Sequence, residues 1–214
     1  MTLRLNGSSS GFTEIDAPAA AGSNTITLPT SNGSADQFLM NSGTAGELEF
    51  ASLASSDMPT GSILQVLQTV KTDADSVSLA TLTESSNIIE QSITVAASSK
   101  VLIMCTMSMM CTTPTYGFTF NRGGSSIGIA DADGSRFRAT ALGYSDPDRQ
   151  DSSQPVNAMF LDTPGSAGTF TYGVKARHAS SATQTVFFNL LENDANAAKL
   201  MRPISHLTLM EVAG

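Results

Sequence analysis

Residues 100 to 111 read KVLIMCTMSMMC. If this segment is extended, Val101, Ile103, Cys105, Met107 and Met109 face one way, and Leu102, Met104, Thr106, Ser108 and Met110 face the other. Both faces carry apolar bulk, so a strand with one fully wet side is a poor account of it. The first face suits the interior of a sandwich. The second, mixed with Thr and Ser, suits either a neighbouring subunit, since Met fills irregular interfaces well, or a cover from within the same chain. Met104 and Met110 are the subunit-contact candidates on this strand.

The same stretch decides several other questions. It is interrupted by Thr106 and Ser108 and is shorter than the roughly 20 residues that cross a bilayer as a helix, so membrane insertion is not expected. Cys105 and Cys111 are six residues apart on it. At about 3.3 Å per residue they stand roughly 20 Å apart, while a disulfide needs Cα atoms within about 7 Å. They read as two small buried apolar residues. No second cysteine pair or Cys/His cluster suggests zinc.

Outward from this strand, the chain after Gly61 divides into further strand-length runs. These are Ser62–Thr69, Val77–Leu82, Ile88–Val95, Tyr116–Arg122, Ser125–Ala130, Pro155–Leu161, Thr169–Ala176, Gln184–Leu191 and Ser205–Val212. Phe118 and Phe120, or Phe170, Tyr172 and Val174, alternate at period two. NRGGSS at Asn121–Ser126 reads as a hairpin turn. Glu192–Met201 has helical composition and is short, so it is expected as a loop with a helical turn. The expectation for residues 61–214 is an antiparallel β-sandwich of jelly-roll character.

Before residue 60 the composition differs. Strand candidates of three to five residues, Leu3–Leu5, Phe12–Ile15, Thr25–Leu28, Gln37–Met40 and Leu48–Phe50, are separated by Gly, Ser and Asn clusters. They hold too little apolar bulk to close a core, so residues 1–60 are expected to pack against copies of themselves. Ala51–Gly61 is a polar connector, and Pro59 holds Met58 extended. The fold class is therefore all-β.

Charge narrows the partners. The 214 residues carry a formal net charge of -8 and only 14% charged side chains. Phosphate backbones are held by clustered Lys and Arg, so nucleic acid is not an expected partner, nor is an anionic membrane surface. No basic amino-terminal segment precedes an apolar run, and no signal peptide is expected.

Three pieces then carry a resemblance. GFTEIDAP at Gly11–Pro18, GSNTITLP at Gly22–Pro29, and Asn32-Gly33-Ser34 with Gln37 and Leu39 resemble a module of fibre proteins of tailed bacteriophages, especially those of marine cyanobacteria. PTGSILQVLQTVKTD, FNRGGSSI, FLDTPGSAGTFTYGVKAR and HLTLMEVAG resemble trimeric fibre heads, whose sandwich is similar to complement C1q and tumour-necrosis-factor domains. The resemblance implies a homotrimer, with an intertwined short-stranded shaft or virion-attachment segment followed by a head. It implies a location in the virion, on the tail, with other virion proteins held by the amino-terminal segment and a host glycan or protein as a further partner. Ile26, Leu28, Phe38, Met40, Leu48 and Phe50 would then be the inward side chains of the shaft. A capsid decoration protein and a polysaccharide depolymerase are the alternatives.

Chemistry is sparse. His178 and His206 are isolated from any nucleophile motif. DADG at Asp131–Gly134 resembles half of a calcium loop without its closing acid. Asp146, Asp148 and Asp151 offer carboxylates for glycoside hydrolysis, but there is no Trp and aromatic content is 6%. No catalytic residue, cofactor or metal is expected. Ala130–Pro155 reads as a long polar loop, the type of segment that carries recognition. Arg136, Arg138, Tyr144 and Arg149 are its candidate host contacts, through guanidinium hydrogen bonds and a flat aromatic face.

Overall fold

The computed structural model describes residues 3–146, 153–197 and 200–214. Among them there is no α-helix, and every strand pairing between named strands is antiparallel. The chain divides into two compact units, Met1–Asp57 and Met58–Gly214.

The first unit holds two short hairpins. Strands β1 (Leu3–Asn6) and β2 (Phe12–Ile15) pair as one. Strands β3 (Phe38–Asn41) and β4 (Leu48–Ala51) pair as the other. Thr25–Leu28, expected as a strand, makes a single bridge instead: Thr27 N–H donates to Gly46 O at 2.7 Å, and Leu48 N–H donates to Thr27 O at 2.9 Å. Pro29 follows at once and has no N–H to extend the ladder. No described residue of this unit is buried. A lone two-stranded hairpin is marginal in water, and these have no core beneath them.

The second unit is a β-sandwich. Its strands are β5 (Ile63–Lys71), β6 (Asp75–Leu79), β7 (Asn87–Val95), β8 (Lys100–Cys111), β9 (Thr115–Arg122) and β10 (Ser125–Ile127), followed by β11 (Ala141–Tyr144), β12 (Gln154–Asp162), β13 (Gly168–His178), β14 (Gln184–Phe188) and β15 (Ser205–Val212). One sheet has β12 on one side of β8, and β15 then β5 on the other, with β14 and β6 continuing that second side. The other sheet runs β7, β13, β9, with both β10 and β11 on β9. A single buried cluster is shared by the two sheets. Ile103, Met107, Val186, Phe188, Leu207 and Leu209 come from one, and Ile93, Tyr116, Phe118, Phe120 and Tyr172 from the other. All eleven are nearly inaccessible, and each contributes about 1.5–3 kcal/mol on leaving water.

Strand β8 organises the first sheet. Val101, Ile103, Cys105, Met107 and Met109 all enter the core, as their alternation requires. Its edge opposite β12 is shared by β15 as far as Thr106 and by β14 from Met109. The gap at Ser108 is filled by side chains. Ser108 N–H donates to Ser205 Oγ at 2.9 Å, and Ser205 Oγ donates to Asn189 Oδ1 at 2.7 Å. Asn189 N–H donates to Ser108 O at 3.1 Å, while its Nδ2 donates to Lys71 O and Asp73 O. Asn189 sits at φ 57, a left-handed conformation that Asn tolerates better than most residues.

At the start of β8 two buried carboxylates flank Val101 on neighbouring strands. Asp162 accepts from Arg122 Nη1 at 2.5 Å and from Tyr172 Oη at 2.7 Å, linking the two sheets. Glu211 accepts from Gln65 Nε2 at 2.6 Å and from Ala96 N–H at 2.7 Å, which ties the segment after β7 to β15.

Three local expectations are corrected. Ala130–Pro155 is not one loop, because β11 lies within it. The run from Ser125 ends at Ile127, where Gly128 turns at φ 57 against the Phe160 ring. The described residues of Glu192–Met201 form a loop, as expected, in which Leu200 N–H donates to Ala197 O at 2.9 Å. Segment Val77–Leu82 also ends early, at Leu79, and Leu82 stands at φ 68 in the turn that follows.

Candidate functional site

The two outer faces of the sandwich differ in chemistry. On the β7–β13–β9 sheet the outward side chains are mainly polar and bond to one another. Ser92 Oγ lies 2.8 Å from Thr171 Oγ1, Thr94 Oγ1 lies 2.7 Å from Thr169 Oγ1, and Asn121 Nδ2 donates to Asn87 Oδ1 at 2.7 Å. Water can cover the Ser92, Thr94 and Thr169 hydroxyls at no cost, while Thr119 and Asn121, on the same side of β9, are buried by the chain itself.

The outer face of the other sheet is mainly apolar. Strand register sets three rows across β5, β15, β8 and β12: Val66–Met210–Leu102–Leu161, then Gln68–Thr208–Met104–Met159, then Val70–His206–Thr106–Asn157. No carboxylate, ammonium or guanidinium lies in these rows. Val66 is 53% exposed, Met159 66% and Leu161 46%. Six apolar side chains in adjacent positions, the whole first row with Met104 and Met159, form a continuous patch of the kind that marks an interaction surface rather than scattered exposure. This face is the candidate site.

Met104 lies in it, 39% exposed. Met110 does not. It is only 1% exposed, and its Sδ accepts from Glu192 N–H at 3.1 Å. Alternation assigned Met110 to the outer face correctly, but the chain after β14 already covers it, leaving no surface for a neighbour. The two proposed covers of this strand thus divide along its length: one end is covered from within, the other is open.

In the first unit, Ile26 and Leu28 are 70% and 69% exposed, and Phe38 56%. Met40 and Leu48 are half-buried, and Phe50 is 36% exposed beside Gly33, whose Cα lies under its ring. The register corrects one expectation. Leu39 pairs with Phe50 and Asn41 with Leu48, while Phe38 pairs with Ala51 and Met40 with Glu49. Directly paired residues share a face, so Phe38 and Met40 point opposite to Leu48 and Phe50. These four cannot line one side of a ribbon.

The host-contact candidates are spread out. Arg136 is exposed and paired with Asp133. Arg138 Nε donates to Ala130 O at 2.6 Å. Tyr144 projects from β11, 59% exposed. Arg149 lies outside the described residues, as do Asp148 and Asp151. Sequence reading missed the side chain between the two arginines: Phe137 turns inward, and the Arg177 guanidinium lies 5.0 Å over its ring.

The remaining titratable groups are built into the scaffold. His178 is buried, with Nε2 at 3.0 Å from Leu79 O and Nδ1 accepting from Ser180 N–H at 3.1 Å. Those partners assign the proton to Nε2, and both ring nitrogens are satisfied. His206 belongs to the apolar face. Burial pushes the Cys105 and Cys111 thiols up from their ordinary range, which leaves them poor nucleophiles. Among the described residues no three His, Cys, Asp or Glu side chains are grouped to hold a metal ion, and no helix is long and apolar enough to cross a membrane. Set against known proteins, the chain matches no family model and no curated protein.

Proposed function

We propose that this chain is a homotrimeric structural fibre protein of a tailed-phage virion, with a head that approaches or attaches to the host cell. The observation that carries the reading is the contrast between the two outer faces: one wet and hydroxyl-rich, the other apolar and uncharged. A second copy laid on the apolar face removes Val66, Met104, Met159 and Leu161 from water.

Two further features support it. Leaving out β6 and β14, and treating β10 and β11 as one position, the strands number one to eight in chain order and lie 1-8-3-6 in one sheet and 2-7-4-5 in the other. That is the order of a jelly roll, the architecture of the trimeric heads that the sequence resembles. The first unit, for its part, has apolar side chains but no buried residue among those described, so folding and assembly would occur together. A structural role fits these features better than an enzymatic one.

The test has two parts. Light scattering on the purified chain is expected to give three times 22.2 kDa, and fluorescently labelled protein is expected to adsorb to host cells. A folded monomer at micromolar concentration removes the fibre reading. A trimer that does not adsorb leaves a decoration role on the virion.

A further inference from the structure

The outer face of the second sheet has one apolar feature. Strand β11 lies on the edge of β9, and register sets Leu142, Gly117 and Arg177 in one row across β11, β9 and β13. Tyr144 and Thr115 form the next row. Leu142 and Arg177 stand on either side of Gly117 and line a groove with it. A residue with a Cβ is not possible there, because that atom would stand 2.1 Å from Ala141 O. Glycine inside a strand marks a place where something approaches closely. Here it is the neighbouring backbone of Ala141 and Leu142, which fills the space over Gly117.

The groove is rigid. Arg177 is fixed on three sides: Nη2 lies 3.1 Å from Glu84 Oε1, Nη1 donates to Arg138 O at 3.1 Å, and the guanidinium covers Phe137. Between Phe137, Ala139, Leu142 and Gly117 is a recess of about 20 Å³. That is room for one water molecule, but a water needs two to four polar partners, and the surface the recess presents is apolar. A methyl group fits both its size and its walls. The exposed Thr115 lines the recess, and the exposed ring of Tyr144 projects from the position paired with it. Tyr offers a flat apolar face with a polar tip.

We propose that this groove binds a 2-acetamido sugar, with the acetyl methyl in the recess between Phe137, Ala139 and Leu142 and the sugar ring against Tyr144. An apolar hole the size of one methyl, beside an aromatic platform with hydroxyls at its edge, matches the two parts of that ligand. The proposal deepens the host-attachment reading by naming the ligand class, and takes its biological meaning from it.

The experiment is saturation-transfer NMR on the full chain with N-acetylglucosamine, and with glucose as the control that lacks the acetamido group. The acetyl methyl is expected to be the most strongly saturated group of N-acetylglucosamine, with glucose binding at least ten-fold more weakly. Ala139→Leu fills the recess and Tyr144→Ala removes the platform. Each is expected to lower binding at least ten-fold with an unchanged circular-dichroism spectrum. Equal binding of glucose, a methyl that is not preferentially saturated, absence of N-acetylglucosamine binding, or indifference to both variants overturns the proposal. The mass of the assembly is measured separately: a monomer that still binds the sugar removes the fibre reading alone, and a trimer that does not bind removes this one alone.

Discussion

Met159 of edge strand β12 stands directly opposite Met104 of β8, and both side chains point away from the core. They are 66% and 39% exposed. Two unbranched thioethers side by side make a surface that adapts its shape to whatever covers it. Their neighbours in the adjoining row, Leu102 and Leu161, extend the same patch.

Charging this pair tests the assembly face. Met104→Lys with Met159→Lys places two ammonium groups where no other charge lies in the rows, and burying either against a second copy costs several kcal/mol. The expected outcome in light scattering is a change from three times 22.2 kDa to 22.2 kDa. Circular dichroism should still show the strands of the sandwich, because neither side chain enters the shared core. A variant that remains trimeric places the contact elsewhere.

The gap at Ser108 makes Asn189 a point of weakness. Asn189→Ala removes three side-chain hydrogen bonds, those to Lys71 O, Asp73 O and Ser205 Oγ, from a buried network. It also leaves Ala in a left-handed conformation. Unsatisfied buried groups cost about 1–3 kcal/mol each, so the loss of stability should be about 3 kcal/mol. Asn189→Gly loses the same bonds without the backbone strain. In urea unfolding the Gly variant should therefore lie between the native chain and the Ala variant.

Glu211 confers a pH dependence. Burial opposes its charge, but hydrogen bonds from Gln65, the Ala96 amide and Ser99 outweigh that, and the carboxyl is held below the ordinary 4.5. A carboxylate with a lowered folded value contributes stability that is fully present above 4.5 and is lost as the pH falls through the folded value. Glu211→Gln turns an amide donor toward one of the three groups that now donate to the carboxylate. The expected cost near neutral pH is about 1.5–3 kcal/mol, shrinking as the pH is lowered below 4.5. Thermal melts of both forms across that range check it; a difference that stays constant down to acid pH counts against Glu211 as the cause.

Leu82 offers the opposite sign. It is 62% exposed at φ 68, where a branched side chain is strained and buries little in return. Leu82→Gly should stabilise the chain by about 0.5–1 kcal/mol, the strain relieved less the added freedom of the unfolded state. For a domain of this size that is a rise in Tm of roughly 2–3 °C. A fall in Tm would show that Leu82 makes contacts worth more than its backbone costs.

Period-two alternation was enough to find β8 and β15 with their ends, and to assign each residue of β8 to a face. That is a local property: in an extended chain the side of each side chain follows from its position alone. Strand β11 escaped the same test. Its core side is Ala141 and Gly143, and a Cβ on Gly143 would strike the Tyr116 ring and Val156, so the buried half of the pattern carries no apolar bulk to be read. What holds β11 is the backbone pairing to β9, which the sequence does not display.

The candidate sites divide in the same way. Met104 and the apolar character of the β8 outer face were legible from the strand itself, whereas the burial of Met110 depends on a segment some 80 residues further along the chain. The groove joins Gly117, Phe137, Leu142 and Arg177, which no spacing rule connects. Only the register of β11, β9 and β13 brings them into one place, because a sheet pairs residues by hydrogen-bond geometry and not by distance along the chain.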